Sequence, residues 1–373
     1  MTSTLTLKHL VLLGAGHAHV HVLHGLAQRR PADLNVTVIA PYPRQLYSGM
    51  VPGFVAGHYT LDECVIPLEP LIARSGARFN GTSAVGLNIA EQRVMLAHGG
   101  SVHWDWLSIN TGPVMDRDAI EERMPGAREH ALFVRPIEPF GQWWPRVRAM
   151  ADTRPIHLAV VGAGAAGLEL AMAAAHAMPQ GCRVTVITGG VPVAATYPTG
   201  VQRRVLRALK RLNITVLPDS CIGFAAGEVL LSNGARLACD APLLAVGAQA
   251  PAWLRGSGLA LDDAGFVAVN AAQQSTSHPH VFASGDVASR QDVTHPKSGV
   301  FAVRAGPPLL ENLRASLEAQ PLKPHRPPLR TLNLLSCGSR HAIASWGGMS
   351  LEGRWVWHWK DRIDRQFIRR YTA

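Results

Sequence analysis

Apolar side chains gather in a few short runs along this chain, and two of those runs share one grammar. Residues 9–19 read HLVLLGAGHAH and are followed by NVTVIA at 35–40. Residues 157–169 read HLAVVGAGAAGLE and are followed by RVTVIT at 183–188. Four consecutive apolar residues ending at a glycine predict a strand buried on both faces. The apolar stretch after each glycine pair predicts a helix, and the β-branched run beyond it predicts a second strand. In both copies 26 residues separate the first glycine from the end of the second strand: Gly14 to Ala40, and Gly162 to Thr188.

Strand, glycine turn, helix and strand in that order is the physics of a dinucleotide site. The first glycine makes the tight turn, the second lets the backbone approach a pyrophosphate, and the third lets helix and strand pack closely. The helix N-terminus holds the anion. The candidate contacts are Gly14, Gly16, His17, Ala18 and His19 in the first copy, and Gly162, Gly164, Ala165 and Gly167 in the second. Glycines that merely shape turns are the plainer reading, and two copies in equivalent contexts weigh against it. There are two departures from the pattern. His19 stands where the first copy needs its third glycine, so the first helix is expected to sit farther from its strand. Ala40 and Thr188 stand where an acidic residue would grip an adenosine ribose. Arg203 and Arg204 suit either a 2′-phosphate or a solvated helix face.

Composition narrows the class. A length of 373 residues suits about two domains. With 47% apolar and 17% charged residues, the chain is neither disordered nor a coiled coil. Of the net charge of +10, +7 lies between Pro321 and Ala373, so this is a near-neutral body with a basic tail and not a nucleic-acid binder. The five cysteines (Cys64, Cys182, Cys221, Cys239, Cys337) show no disulfide or zinc spacing, which fits a reducing, cytoplasmic setting. His17, His21 and His24 share a helical face, but no carboxylate or cysteine joins them, and no metal is expected. The N-terminal apolar run reads as the first strand and not as a signal peptide. The apolar stretch 158–178 holds three glycines and Glu169, so no membrane span is expected.

The segment HPHVFASGDVA at 278–288 is a short strand ending in Gly285-Asp286. With it, the chain resembles the pyridine nucleotide-disulfide oxidoreductase superfamily over nearly its whole length. The resemblance implies an α/β fold of two Rossmann-like three-layer nucleotide-binding domains, the glutathione-reductase-like arrangement, with a small C-terminal segment. The FAD-binding domain is expected to be discontinuous, 1–115 and 270–320, around an NAD(P)H-binding domain at 116–269, with a C-terminal segment at 321–373. It places the Asp286 carboxylate on the flavin ribityl chain and makes Gly112 and Gly247 strand-end glycines. Glu169 matches a glutamate facing the nicotinamide–flavin junction. The helix opening at Gly299 and Val300 points at the flavin, with Lys297 as an added cation. Tyr47 lies beside the isoalloxazine or is an ordinary core tyrosine.

No paired-cysteine motif follows the first βαβ unit, so glutathione-reductase-like chemistry is excluded. The chain then resembles type II NADH dehydrogenases. It is still more similar to the flavoprotein module fused N-terminally to some selenophosphate synthetases, through GAGHAHVHVL at 14–23, YSGM at 47–50 and WHWKDRID at 357–364. No synthetase portion is expected here. The implied function is an FAD-dependent NAD(P)H oxidoreductase that passes hydride to flavin and then to an acceptor, quinone first. A soluble reductase of selenium or sulfur metabolism, or a flavin-bound regulatory partner, are the alternatives. Cys337 reads as a packing residue or a reactive thiol. Trp355, Trp359, Ile363 and Phe367 recur every four residues, with Lys360, Arg362, Arg365, Arg369 and Arg370 around them. Such a helix either docks on the inner face of an anionic membrane or buries its tryptophans against the protein.

Overall fold

The computed structural model describes residues 7–372. In the first of two five-stranded parallel sheets, Lys8–Leu13 is central. Leu34–Ile39 and Arg78–Asn80 lie on one side, Trp106–Ile109 and Val281–Ala283 on the other. In the second, His157–Val161 is central, flanked by Arg183–Ile187 and Thr215–Leu217, and by Ala241–Leu244 and Leu132–Phe133. The repeat in the sequence is thus a repeat of four strands in each sheet, the fifth entering from different points of the chain. It extends to a three-stranded antiparallel sheet in each unit, built from Ala84–Asn88, Arg93–Leu96 and Ser101–His103, and from Cys221–Ala225, Glu228–Leu231 and Arg236–Ala238.

Alternation along each central strand makes three layers, because successive side chains point to opposite faces. Leu10 and Leu12 pack with the helices His17–Gln28 and Gly306–Leu317, while Val11 and Leu13 pack with Leu87 and Val94 of the small sheet. Leu158 and Val160 face the helix Ala165–Ala177, and Ala159 and Val161 face Phe224 and Val229. The second unit is inserted in the first. The two crossings meet, with Val114 and Gln249 each donating a backbone hydrogen bond to the other. Leu254, Leu259 and Val267 already share the core of Val11 and Leu13. The chain therefore returns to the first unit near residue 250, earlier than the expected 270.

The C-terminal segment is an antiparallel sheet (Leu332–Ser336, Ala342–Trp346, Met349–Gly353) followed by the helix Arg354–Thr372. That helix buries Trp357, beside His58 and Tyr59, in the cluster that joins the two units, and Phe367 and Tyr371 in the core of the first. Arg204 donates to the Ser350 hydroxyl, the Ser350 carbonyl and Glu352 (3.2, 3.1 and 2.9 Å), which fastens the second unit to this sheet.

Asn110, at the end of Trp106–Ile109, gathers the first unit around its glycine turn. Its Oδ1 accepts the amides of Ala18 (3.1 Å) and His19 (3.2 Å), and its Nδ2 donates to Ser284 O (2.6 Å). Replacing Asn110 by Ala strips two amides of a helix N-terminus and leaves a buried carbonyl unpaired, at a cost of about 2 kcal/mol. A fall of several degrees in the melting temperature is expected; an unchanged midpoint contradicts the assignment.

Candidate active site

A cavity of about 540 Å³ opens at the C-terminal edge of the first sheet. That is the size range of cofactor pockets, and the edge is where open α/β sheets bind ligands. Gly14, Gly16 and His17 form its floor, with Gly112, Asp286 and Gly299 on its walls. Gly14 has φ +88°, and a Cβ there would lie 2.6 Å from Asn110 O; Gly16 is pressed onto the Asn110 side chain. A Cβ on Gly112 meets nothing within 4 Å, so this glycine faces open space. Burial pushes the Asp286 carboxyl up, against the pull of Arg135 and Lys297.

His19 fills the place of the third glycine without a gap. Fully buried, its Nδ1 donates to Gly14 O (2.5 Å) and its Nε2 accepts from the Ser108 hydroxyl (2.8 Å). Burial drives its pKa down to about 4, so it is neutral. The imidazole ties the glycine turn to the neighbouring strand, where a true third glycine would only let the helix approach. Ala18 and His19 were expected to offer their amides to a pyrophosphate, but Asn110 already takes both. His17 lines the cavity, is likewise held neutral near 4 by burial and by Arg135, and accepts from Gln45 Nε2.

The second glycine turn separates the three glycine roles. Gly162 has φ +127°, and a Cβ there would stand 2.5 Å from Ala245 O. Gly167 is pressed against Gly162 O, so helix and strand touch. Gly164, in extended backbone at the cap of the helix that begins at Ala165, has nothing within 4 Å of its Cβ position. Gly247, after Ala241–Leu244, is equally open. A concave turn with one closed, one open and one packed glycine fits a dinucleotide pyrophosphate.

Between the two turns lies a buried ionic group that no composition count would reveal. Glu169 accepts the Ser336 amide at 2.7 Å, which joins the second glycine helix to the C-terminal sheet. Burial raises its pKa to about 7, with Lys360 opposing the shift. Lys360 donates to Gly49 O (2.5 Å) and to Asp364 (2.6 Å). The Asp364 carboxyl takes the Tyr47 hydroxyl as a further partner. Tyr47 stacks on Phe367 at 4.5 Å and lies 5.3 Å from His17, which lines the cavity, but Tyr47 itself does not line it.

Several expectations need correction. Lys297 is turned from the cavity: it donates to Asp286 O (3.0 Å) and Ala288 O (2.9 Å) and lies 3.6 Å over Phe266. Val300 is not part of the cavity wall, although Gly299 is. Arg204 is engaged by Glu352 and Ser350 and is not free for a 2′-phosphate. Lys360 and Asp364 are core residues rather than part of a solvated basic face. Cys337 is buried, its thiol pushed up to about 12, as suits a packing residue. Sequence reasoning missed Arg135 and Glu138, which line the cavity, and the role of Asn110. The i, i+4 pair within WHWKDRID was the available sign of the ionic group.

Two nucleotide-type turns converging on one buried group define a two-site dinucleotide oxidoreductase architecture. The family model for pyridine nucleotide-disulphide oxidoreductases matches residues 8–306, and the chain belongs to that family: it is an FAD-dependent NAD(P)H oxidoreductase. A demethylphylloquinone reductase, NdbB, from Synechocystis is 25% identical over 92% of this chain and 88% of that protein. NDH2 from Plasmodium falciparum in complex with NADH has a similar structure, with TM-score 0.80 and 13% identity over 98% and 97% of the two chains. The sulfide:quinone oxidoreductase of Aquifex aeolicus gives TM-score 0.79 and 17% identity over 98% and 91%. These last two likenesses are of fold, and the ionic group remains this chain's own observation.

Gly164 separates folding from binding, because its Cβ position is empty and its backbone suits any residue. Gly164→Val is expected to keep the melting temperature and the bound flavin while raising KM for the nicotinamide nucleotide at least tenfold. An unaltered KM would place the nucleotide elsewhere.

Proposed function

We propose that the protein is a peripheral-membrane NAD(P)H:quinone oxidoreductase in which Glu169 supplies a proton to the quinone. The observation that carries this reading is the hydrogen bond of Glu169, on the second glycine helix, to the C-terminal segment, within the field of the Lys360 ammonium. Both nucleotide sites meet an ionisable group there and no thiol pair: the five cysteines are free, and Cys64, in the region where a thiol pair would be sought, is buried. The names of NdbB and of the Aquifex enzyme, a phylloquinone-type and a sulfide:quinone catalyst, support quinone as the acceptor class.

FAD, when bound, accepts hydride from the nicotinamide and passes two electrons to the acceptor. The protein's share is placement and protons. Gly14, Gly16 and Gly112 would admit the FAD backbone, with Asp286 available to the ribityl hydroxyls and Arg135 to the phosphates. Gly162, Gly164 and Gly167 would receive the nicotinamide nucleotide's pyrophosphate. Reducing a quinone with NAD(P)H consumes one proton beyond the hydride. With Oε1 held by the Ser336 amide, the protonated fraction of Glu169, about half near neutral pH, would carry its proton on Oε2, and the Lys360 ammonium would stabilise the carboxylate left behind.

The route to quinone is through a membrane. Trp355, Trp359 and Ile363 are 54%, 41% and 39% exposed on one helix face, while Phe367 of the expected stripe turns inward. Met349 and Leu351 of the preceding strand are exposed too. An apolar ledge with interfacial tryptophans and flanking arginines suits the plane of a bilayer surface. Among the described residues no helix is long and apolar enough to cross a membrane.

The protonated form of Glu169 is the donor, so quinone reduction should slow as pH rises through about 7. Glu169→Gln is expected to lower the quinone-dependent rate at least tenfold and to abolish that pH limb, while anaerobic flavin reduction by NAD(P)H persists. A variant with the wild-type rate and pH profile would remove Glu169 from the mechanism.

A further inference from the structure

The cavity runs the width of the first sheet. Thr82 and Ser83, just past the edge strand Arg78–Asn80, line it on one side. Asp286, just past the opposite edge strand Val281–Ala283, lines it on the other. Strands spaced about 4.8 Å apart set these two ends roughly 19 Å from one another, so a dinucleotide in the cavity lies across the strands. The helix Gly299–Arg304 covers the Asp286 end, because a Cβ on Gly285 would touch Ala302 at 3.4 Å. His17 reaches the same end: its Nε2 lies 4.0 Å from the Cβ position of Gly299, and Ser48 Oγ lies 3.5 Å from it.

The orientation of His17 is fixed. Its Nδ1 accepts from Gln45 Nε2, so the neutral ring carries its proton on Nε2. The Ser48 hydroxyl is 3.5 Å from that nitrogen, longer than a well-made N–H···O bond, and leaves the donor largely unused. Tyr47 at 5.3 Å and Phe367 at 5.7 Å frame the ring. Gln45 is an expensive support for an imidazole. It is 7% exposed, and its Oε1 is buried with no hydrogen-bond partner among the described residues. A leucine would pack there without an unpaired carbonyl, so the carboxamide is accounted for by its hold on His17.

We propose that His17 donates its Nε2 hydrogen to the flavin ring of FAD and favours the reduced ring, with Gln45 as the residue that positions it. The proposal rests on the reading above of this cavity as the FAD site with Asp286 at the ribityl chain, which puts the ring at the Gly299 end. It adds to that reading a control of the reduction potential. Two-electron reduction gathers negative charge on the acceptor atoms of the ring, and a donor already in place favours the state with more charge. The same end of the cavity meets the C-terminal helix, where Lys360 donates to Gly49 O, one residue beyond Ser48. Reduction potential and proton supply are then set side by side.

The reduction potential of the bound FAD, measured by equilibration with a reference dye, tests this. His17→Phe should move the equilibrium about tenfold toward oxidised flavin, a potential about 30 mV lower for a two-electron couple, with FAD still bound. His17→Gln, whose amide N–H can stand where the imidazole Nε2 stands, should remain within about twofold of the wild type. Gln45→Leu should shift the equilibrium in the same direction as His17→Phe, at least threefold, while its melting temperature holds or rises. Wild-type potentials in His17→Phe and Gln45→Leu, both with FAD bound, would overturn the proposal. If His17→Phe cannot hold FAD, the Gln45→Leu potential decides: a wild-type value makes His17 a phosphate contact and overturns the proposal. A wild-type protein that takes up no FAD would refute the reading of the cavity itself.

Discussion

The ammonium of Lys360 sits where the two nucleotide units and the C-terminal helix meet, and almost no water reaches it. A charge taken out of solvent costs several kcal/mol unless its surroundings replace the lost hydration. Here the replacement comes from three places at once: Gly49 O of the first unit, Asp364 one turn along the same helix, and the field of Glu169 on the second unit. None of these can move independently without stranding the charge. The constraint thus fixes the C-terminal helix against both units and, through the Ser336 amide, sets the distance between the second glycine helix and the C-terminal sheet. It also explains why an otherwise apolar helix carries Glu169. A carboxyl poised near neutral pH is useful to proton chemistry, and a neighbouring fixed cation keeps its ionised form tolerable.

The duplicated units share the order of four strands, the edge strand beyond them coming last in the first unit (Val281–Ala283) and first in the second (Leu132–Phe133), and they close their glycine turns differently. In the second unit Gly167 lets helix and strand touch, as the three-glycine pattern demands. In the first, the imidazole of His19 lies between the turn and Ser108, and the Asn110 carboxamide takes the helix amides that a glycine turn usually leaves to the ligand. The first site is therefore braced by its own side chains around a cavity, while the second is a turn whose middle glycine faces open space. That difference suits the proposed division of a tightly held cofactor in the first and an exchanging nucleotide in the second.

Much of this was legible in the sequence because strands and glycine turns obey local rules. Four apolar residues before Gly14 and before Gly162 predicted buried strands, which the two sheets contain at their centres, and Asp286 lines the cavity although Gly285 does not. What escaped was set by contacts far apart in the chain. Lys297 looked like a cation beside the flavin, but two carbonyls and the Phe266 ring hold it elsewhere. Arg204 had the right charge for a phosphate, and Glu352, 148 residues away, claims it. Lys360 read as surface charge because its partner Gly49 lies more than three hundred residues upstream. The return to the first unit was placed near 270 because the Gly-Asp strand is conspicuous; the packing of Leu254 and Leu259 has no local signature.

The central claim is that the two nucleotide turns serve one continuous electron path ending in a quinone. Anaerobic titration of the flavin-loaded protein with NADH and, separately, NADPH, followed by addition of a soluble quinone, tests it most directly. The account predicts bleaching of the flavin absorbance at stoichiometric nicotinamide and its full return with one equivalent of quinone. Flavin that stays oxidised with both nucleotides, or that bleaches and is not reoxidised by quinone, would contradict it.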